Sequence, residues 1–261
     1  MKYLDEDALQ TLQGRVFGPE ETFSFRCHPG VTCFNRCCHN LNLFLYPYDV
    51  LRLRQALAIP SDQFIDGYVD VVLRPGHFFP EVLLRMADGA GQPCIFLSAE
   101  GCRVYGDRPH TCRLFPMEQG ARLDATSGRS EPMHIFRPPD FCQGPAEDRV
   151  WTVDAYVRDQ GAEAYYPLTL AWAELHRRFV ENPWGAEGPS GAKGRMAFMA
   201  AYNLDQFRDF VFQSSFLKRY KVAGALVRRL RSDDHALLQF GFEWIKVFVW
   251  GMRSQQIKPK K

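Results

Sequence analysis

Eight cysteines are the residues of this chain whose type and spacing most clearly indicate chemistry. All of them fall within the first 142 of 261 residues, and two of them are adjacent. They are Cys27, Cys33, Cys37, Cys38, Cys94, Cys102, Cys112 and Cys142. Cysteine used so densely and so locally predicts a function of the sulfur atoms. The question is what the sulfur atoms hold.

The compartment bears on that question. The acidic N-terminal segment has no apolar run before a cleavage site, which argues against a secretory signal. The most apolar stretch, residues 240–252, is interrupted by Glu243 and Lys246 and is shorter than the ~20 residues of a spanning helix. We therefore expect a cytoplasmic protein without a membrane span. In a reducing compartment disulfides are rare, so a cysteine cluster indicates metal binding or catalysis.

Thiolates suit both zinc and iron–sulfur clusters. Eight cysteines could fill two four-sulfur sites, or four or five could hold one centre while the remainder pack or react. Zinc sites usually take two thiolates from one Cys-x-x-Cys turn, and this chain has no such pair. Iron–sulfur clusters tolerate adjacent and scattered ligands better, so the spacing favours an iron–sulfur cluster, with zinc as the alternative.

The adjacent pair Cys37 and Cys38 adds a constraint. Successive side chains of an extended backbone point apart, so both can reach one centre only if the chain curls around it. The simpler interpretation is that they face two different sites, or that one of them packs as a small hydrophobic residue.

Cationic and acidic side chains accompany the sulfurs. Five arginines near the cysteines either stabilise thiolates or are solvated: Arg26, Arg36, Arg103, Arg108 and Arg113. His28, His39 and His110 could each replace a sulfur ligand, although a hydrogen-bonding role is commoner for a loop histidine. Three carboxylates near the cysteines form no acid–base couple and are expected to be surface charges: Asp107, Glu118 and Asp140.

Composition limits the remaining function classes. The formal net charge of +2 argues against a nucleic-acid binder that works through bulk charge. We expect the basic end, residues 258–261, to fray. No nucleotide-binding loop or catalytic dyad is recognisable, so the sequence does not decide whether a reaction is catalysed. The expected partner is another protein, either as a binding partner or as a substrate.

The elements that must position the cysteines predict an α+β fold. Short segments broken by Gly, Pro and Cys give way near residue 148 to a cysteine-free helical part. We predict a loop-rich cysteine-cluster metal-binding domain over 1–148, packed against a helical region over 149–261. The patterns indicate a helix over 5–16, a strand over 41–45, helices opening at Asp49 and Ser61, a hairpin of 81–87 with 93–97, a helix start at 107–111 capped by Asp107, and a final helix from 233–234.

The helical part is rich in aromatic residues, more than its short helices can bury alone. They are Trp172, Phe179, Phe198, Phe207, Phe210, Phe212, Phe216, Trp244, Phe248 and Trp250. We therefore expect this part to pack on the cysteine domain. The alternative is a dimer in which the same aromatic surface is buried between two chains. The stripe on the last helix is expected to be core.

The order of these motifs resembles the YkgJ-type cysteine-cluster family of zinc- or iron-chelating domain proteins. Three stretches over roughly residues 25–145 carry the resemblance. They are the cluster ending in Cys37-Cys38, the pair Cys94-Ile-Phe-Leu and Gly101-Cys102-Arg-Val-Tyr105, and Asp107-Arg-Pro-His-Thr-Cys112-Arg-Leu-Phe-Pro116 with Cys142 behind it. The family's first cluster is Cys-x-x-Cys-x-x-Cys-Cys, whereas the spacings here are x5 and x3. Whether Cys27 and Cys33 are ligands therefore stays open.

The resemblance implies a cysteine-ligated metal centre with a structural or electron-transfer role. Flagellin lysine-N-methylases carry a similar cluster, so the alternative is a protein-modifying enzyme of that kind. This chain shows no recognisable methyl-donor site of its own.

Overall fold

A computed structural model describes residues 2–3, 13–18, 20–123 and 130–260. Both helices and short strands are present in these ranges, with the strands in small sheets and helices predominating after residue 152, which confirms the α+β class. In chain order the strands are β1 Lys2–Tyr3, β2 Arg15–Phe17, β3 Thr22–Ser24, β4 Phe44–Leu45, β5 Val69–Val72, β6 Glu81–Leu84, β7 Leu97–Ser98, β8 Gly101–Cys102, β9 Met117–Leu123, β10 Ser130–Phe136, β11 Val150–Thr152, β12 Tyr220–Lys221 and β13 Lys258–Pro259. The helices are α1 Pro47–Ala56, α2 Ser61–Tyr68, α3 His110–Leu114, α4 Val153–Asp159, α5 Tyr166–Arg177, α6 Ala192–Tyr202, α7 Leu204–Gln213, α8 Phe216–Arg219, α9 Gly224–Leu230 and α10 Asp234–Trp250.

One compact unit comprises Met1–Leu43 and Arg85–Glu174. Its main sheet has the strand order β1-β9-β10-β2, with β1 parallel to β9 and the other pairs antiparallel. The helix predicted over 5–16 is wrong at its C-terminal end, because Val16 pairs with Ile135 and Phe17 is buried. Residues 5–12 of that prediction lie outside the described residues.

The core of this first unit lies beside the cysteine segments. Tyr156 packs edge-on against Phe23 and Phe25, with ring centroids 5.3 and 5.9 Å away. Phe25 stands two residues before the first cysteine, and Leu114 stands two residues after Cys112. The buried set is Phe17, Phe23, Phe25, Leu114, Met117, Val153, Tyr156, Val157 and Ala162. Apolar packing therefore fixes both ends of the cysteine-bearing chain.

The second unit comprises Phe44–Leu84 and Leu175–Lys261. Its three-stranded antiparallel sheet has the order β4-β6-β5. The helix predicted at Asp49 is present as α1, but Asp49 acts from inside the first turn, where its carboxylate accepts the Tyr46 N–H at 2.9 Å. Ser61 begins α2 without capping it, because Pro60 holds the cap position and the Ser61 N–H donates to Asp205 at 2.7 Å.

The interior of the second unit joins the segment 44–84 to the C-terminal helices. Phe79 stacks on Phe179 at 4.2 Å, and the Tyr202 hydroxyl donates to the Leu45 carbonyl. The final helix α10 starts as predicted, with the Asp233 carboxylate accepting from Ala236 at 2.9 Å. Its predicted stripe is core at Leu237, Phe240 and Trp244. The predicted domain boundary at residue 148 and the packing of the helical region on the cysteine domain stay predictions.

Three local predictions need correction. The predicted hairpin of 81–87 with 93–97 is present only at its loop end, as one isolated antiparallel β-bridge between Met86 and Cys94. The strand β6 pairs with β4 and β5 instead. Asp107 ends a 3₁₀ turn instead of capping α3, which starts after Pro109. Residues 258–259 do not fray, because they pair with β12. None of the helices in the described ranges has the length and apolar character needed to cross a membrane.

Candidate metal centre

The chain enters the first cysteine cluster through a tightly fixed segment. The Trp151 indole N–H donates to the Phe25 carbonyl at 2.9 Å, and the Arg26 N–H donates to the Gly144 carbonyl at 3.1 Å. Gly144 has to be glycine, because a Cβ there would overlap the ring of Phe25. This packing sets the position of Cys27, the next residue.

Between Cys27 and Cys38 the backbone runs as successive turns. The Arg36 N–H donates to the Cys33 carbonyl at 3.0 Å, and the Cys38 N–H donates to the Asn35 carbonyl at 2.9 Å. Asn35 takes up the left-handed conformation, with φ of 64°, directly before the 3₁₀ turn Arg36–Cys38. Asparagine tolerates this conformation better than most residues. The chain therefore curls, which brings scattered sulfurs to one side of the unit.

The adjacent cysteines take different surroundings. Cys37 lines a pocket together with other cysteines of the first cluster. Cys38 lies against the second cluster, where its carbonyl accepts the Cys94 N–H at 2.7 Å. The two thiols still touch, because the Cys37 thiol donates a hydrogen bond to the Cys38 sulfur. Whether Cys37 and Cys38 serve two different sites, or one of them packs as a small hydrophobic residue, stays a prediction.

Four cysteines share the first pocket, which has a volume of about 10 Å³, close to the room that one water molecule needs. Cys142 is drawn in by a turn in which its N–H donates to the Pro139 carbonyl at 2.8 Å, and the next N–H, that of Gln143, donates to the Cys33 sulfur at 3.3 Å. We call these residues the first cysteine group: Cys27, Cys33, Cys37 and Cys142.

Cys38, Cys94 and Cys102 form the second cysteine group. The β7–β8 hairpin places Cys102 opposite Leu97, whose N–H donates to the Cys94 carbonyl at 2.8 Å. Burial is the main cause that raises the pKa of Cys94 and of Cys102, and repulsion from Cys38 adds to it at both. Backbone hydrogen bonds thus hold these three positions together.

Cys112 lies on α3 and is close enough to Cys37 to affect its titration. The neighbouring arginines are buried and hold the backbone, so the solvated alternative does not apply to them. Arg113 donates to the Gln160 carbonyl at 2.8 Å, and Arg108 donates to the Gln160 side-chain oxygen at 2.7 Å. These bonds fasten the segment that carries Cys112 to the end of α4.

The surroundings of Cys27 and Cys37 disfavour negative charge, whereas those of Cys38 favour it. Burial and repulsion from Cys33, Cys142 and Cys38 raise the pKa of Cys27. The hydrogen bond to Cys38 and burial raise the pKa of Cys37, whereas the same bond lowers the pKa of Cys38 to about 7.

Burial also raises the pKa of three further thiols: Cys94, Cys102 and Cys142. Arg103 opposes this shift at Cys94, and Arg108 and Arg103 oppose it at Cys102. Clustered thiolates of this kind need a positive charge among them, which is what a bound metal supplies.

The three histidines have other partners. His28 contacts Glu147 at 3.0 Å and accepts from the Gly30 N–H, and His39 lies 3.1 Å from the Asn35 carbonyl oxygen. His110 is buried beside Gln119, and burial lowers its pKa to about 3. Their contacts fit the hydrogen-bonding role. Of the carboxylates, Glu118 pairs with Arg137 at the surface.

All eight cysteines lie in the described part of the chain, and none of them forms a disulfide. Among residues 13–18, 20–123 and 130–260, no three His, Cys, Asp or Glu side chains converge closely enough to hold an ion as they stand. Electrostatic repulsion links some of the sulfurs: Cys33, Cys142 and Cys38 act on Cys27, and Cys38 acts on Cys94 and Cys102.

Sequence reasoning missed the residues that shape the site without bearing sulfur. Gly144, Gln143 and Trp151 follow the last cysteine and return the chain to Phe25. Gln160 anchors two arginines from a distance of about fifty residues. The adjacency of Gln143 and Gly144 to Cys142 was the only local signal available.

Comparison with known proteins agrees with this geometry. Residues 26–143 match the family model described as "CxxCxxCC: Putative zinc- or iron-chelating domain". The match covers all eight cysteines and confirms the resemblance inferred from the motif order. No solved structure matches the chain.

Proposed function

Since residues 26–143 form a domain of the YkgJ-type zinc- or iron-chelating family, we propose that the protein holds an iron–sulfur cluster on its cysteine thiolates. In this proposal the centre organises the loop-rich unit or passes electrons to a partner protein. The observation that carries the proposal is the set of eight free cysteines, seven of them half-buried and Cys27 exposed, drawn from five separate segments of the chain.

The donor set fits such a centre. Soft sulfur ligands suit iron–sulfur clusters, and their ligands commonly come from loops with uneven spacing. The first cysteine group would supply four thiolates, with Cys112 next to Cys37, and the second group would supply three more. When bound, the metal would offset the burial and the mutual repulsion that raise the pKa values of Cys27 and Cys102.

The surrounding residues have defined tasks in this proposal. Arg103 and Arg108 favour the thiolate form of Cys102 and so keep that sulfur ready as a ligand. Phe25 and Phe115 line the first pocket with apolar surface and restrict water around its sulfurs. Limited water access and local charge are the means by which a protein tunes a redox centre.

Zinc is the second candidate, and one observation favours it. The pocket of the first group, at about 10 Å³, is nearer in size to a single ion than to a cluster, and its sulfurs would draw together around that ion. An iron–sulfur cluster is larger, so binding one would require the loop 27–38 to open. A zinc centre would give the same unit a structural role only.

Metal analysis of protein purified without oxygen tests the proposal. We expect at least two equivalents of iron with matching acid-labile sulfide, together with a broad absorption near ~400 nm that bleaches on reduction. Colourless protein with stoichiometric zinc would select the second candidate. Less than about 0.3 metal per chain would contradict both, since a bound structural metal is tight at neutral pH.

A further inference from the structure

A compact group of cations stands on the short two-stranded sheet of the second unit. Lys221 lies directly opposite Lys258 in the β12–β13 pair. The pairing continues by one residue, because the Lys260 N–H donates to the Arg219 carbonyl at 2.8 Å. We call these four exposed residues the basic ladder: Arg219, Lys221, Lys258 and Lys260.

The geometry of a strand pair places these charges together. Residues directly opposite share a face of the sheet, and so do residues two apart on one strand. Lys221, Lys258 and Lys260 therefore project from the same face. The opposite face belongs to the core, where Tyr220 packs against Phe216 at 5.1 Å and Trp244 at 5.2 Å.

This arrangement of cations does not stabilise the free protein. Like charges directly opposite each other destabilise a strand pair. Within the described residues, no carboxylate forms an ion pair with any member of the ladder, and the Lys260 ammonium donates to the Leu217 carbonyl instead. Acids close in sequence are engaged elsewhere: Asp209 accepts from Gln213 at 2.6 Å, Asp233 pairs with Arg229 at 2.6 Å, and Glu243 pairs with Lys246 at 2.9 Å.

The segment around the basic ladder, residues 214–260, also carries an excess of positive charge. Residues 214–260 contain ten lysines and arginines but only three acids, although the whole chain has a formal net charge of +2. The remaining acid, Asp234, pairs with Arg54 and Arg208. The excess positive charge of this segment is therefore unbalanced at its surface.

We propose that the basic ladder is a docking site for a carboxylate-rich, extended segment of a partner protein. Side chains two apart on an extended chain are separated by roughly 6.6–6.8 Å, so alternate carboxylates of such a segment match the spacing of Lys258 and Lys260. Arginine and lysine at the site provide charge-assisted hydrogen bonds to carboxylates.

The observations favour a protein over other polyanions. Single-stranded nucleic acid is commonly bound by exposed aromatic rings together with cations, and interfacial membrane segments combine exposed apolar side chains with cations. Between 214 and 260, none of the large apolar side chains that the structure describes is exposed. The inference does not depend on the metal centre, so either can fail without the other.

Fluorescence anisotropy with the full-length protein tests the proposal. The probe is a short peptide of alternating glutamate and threonine, compared with a block-ordered peptide of the same composition, a DNA duplex and vesicles containing phosphatidylserine. We expect the alternating peptide to bind most tightly and to weaken with added salt. Failure of that peptide to bind, or tighter binding of the block peptide, the duplex or the vesicles, would overturn the proposal.

Charge reversal at the ladder distinguishes a binding role from a structural one, because it should raise stability while it lowers peptide affinity. Lys258→Glu removes the repulsion with Lys221, so the free protein should melt at a higher temperature while peptide affinity falls about tenfold. Lys193→Glu, the same change at an exposed site on α6, should leave affinity unchanged. A Lys258→Glu protein that binds normally, or a Lys193→Glu protein that loses equal affinity, would contradict the assignment.

Discussion

Gly144 allows the sharpest test of how the fold positions the first cysteine group. Gly144→Ala adds one methyl group against the ring of Phe25, which is buried at 4% exposure, and against the Arg26 carbonyl oxygen 3.2 Å away. Neither neighbour is the free end of a flexible side chain. The strand end that leads to Cys27 must therefore shift.

The size of the effect follows from what Phe25 loses. Overpacking a well-packed core by one methyl group typically destabilises by about 1–3 kcal/mol. Phe25 also makes edge-to-face contacts with Tyr156 at 5.9 Å and Phe115 at 6.2 Å, each contributing about 0.5–1.5 kcal/mol. If half of these contacts are lost, Gly144→Ala destabilises the protein by about 1.5–4.5 kcal/mol.

Denaturant unfolding and metal content measured on the same samples check this expectation. Gly106→Ala is the matched control, because it lies between Cys102 and Cys112 and a Cβ there meets nothing within 4 Å. We expect Gly144→Ala to lose stability and metal together, and Gly106→Ala to keep both. Equal stability and equal metal content in the two variants would refute the account of how Cys27 is held.

Three further predictions concern ligands, pH and the division of the chain. Cys112→Ser should lower metal content and the melting temperature, and unchanged occupancy would remove Cys112 from the site. Burial lowers the pKa of His176 to about 4, against 6.5 in the unfolded chain, so the unfolded state binds more protons and about 3 kcal/mol of stability should be lost as pH falls from 6.5 to 4. Urea titrations at both pH values check this, and His176→Gln should flatten the slope. Residues 149–261 expressed alone should not melt cooperatively, because residues 44–84 supply Phe79 and Arg54 to the same core. A soluble, cooperatively melting fragment would contradict this.

The methylase alternative has its own measurement. The proposed function requires no S-adenosylmethionine, and calorimetry at millimolar ligand should show no binding. Saturable binding would favour the protein-modifying enzyme over an electron-transfer or structural centre.

Local patterns were sufficient for several elements. The final helix could be predicted because Asp233 caps it and its apolar residues follow the helical period. The cysteine motifs likewise indicated a metal centre from their order alone. The roles of Asn35 and Gly144 could not be predicted from local patterns. Asn35 matters because of the backbone curvature there, and Gly144 because it packs closely against a segment distant in sequence.

Other features depend on contacts between segments that are far apart in sequence. The strand Arg15–Phe17 was mistaken for the end of a helix, because its pairing with β10 comes from residues more than a hundred positions away. The association of 44–84 with the C-terminal helices has the same origin. The basic ladder could not be predicted from the net charge, because that value is summed over the whole chain. The four cations come together only when β12 pairs with β13.

The central claim is that the cysteine groups hold a metal. Native mass spectrometry of the anaerobically purified protein tests it most directly, compared with the same sample after denaturation. We predict a mass increment of one iron–sulfur cluster, lost on denaturation and absent from a variant in which Cys37 and Cys112 are both replaced by serine. An identical mass for the native and denatured chains would contradict the claim.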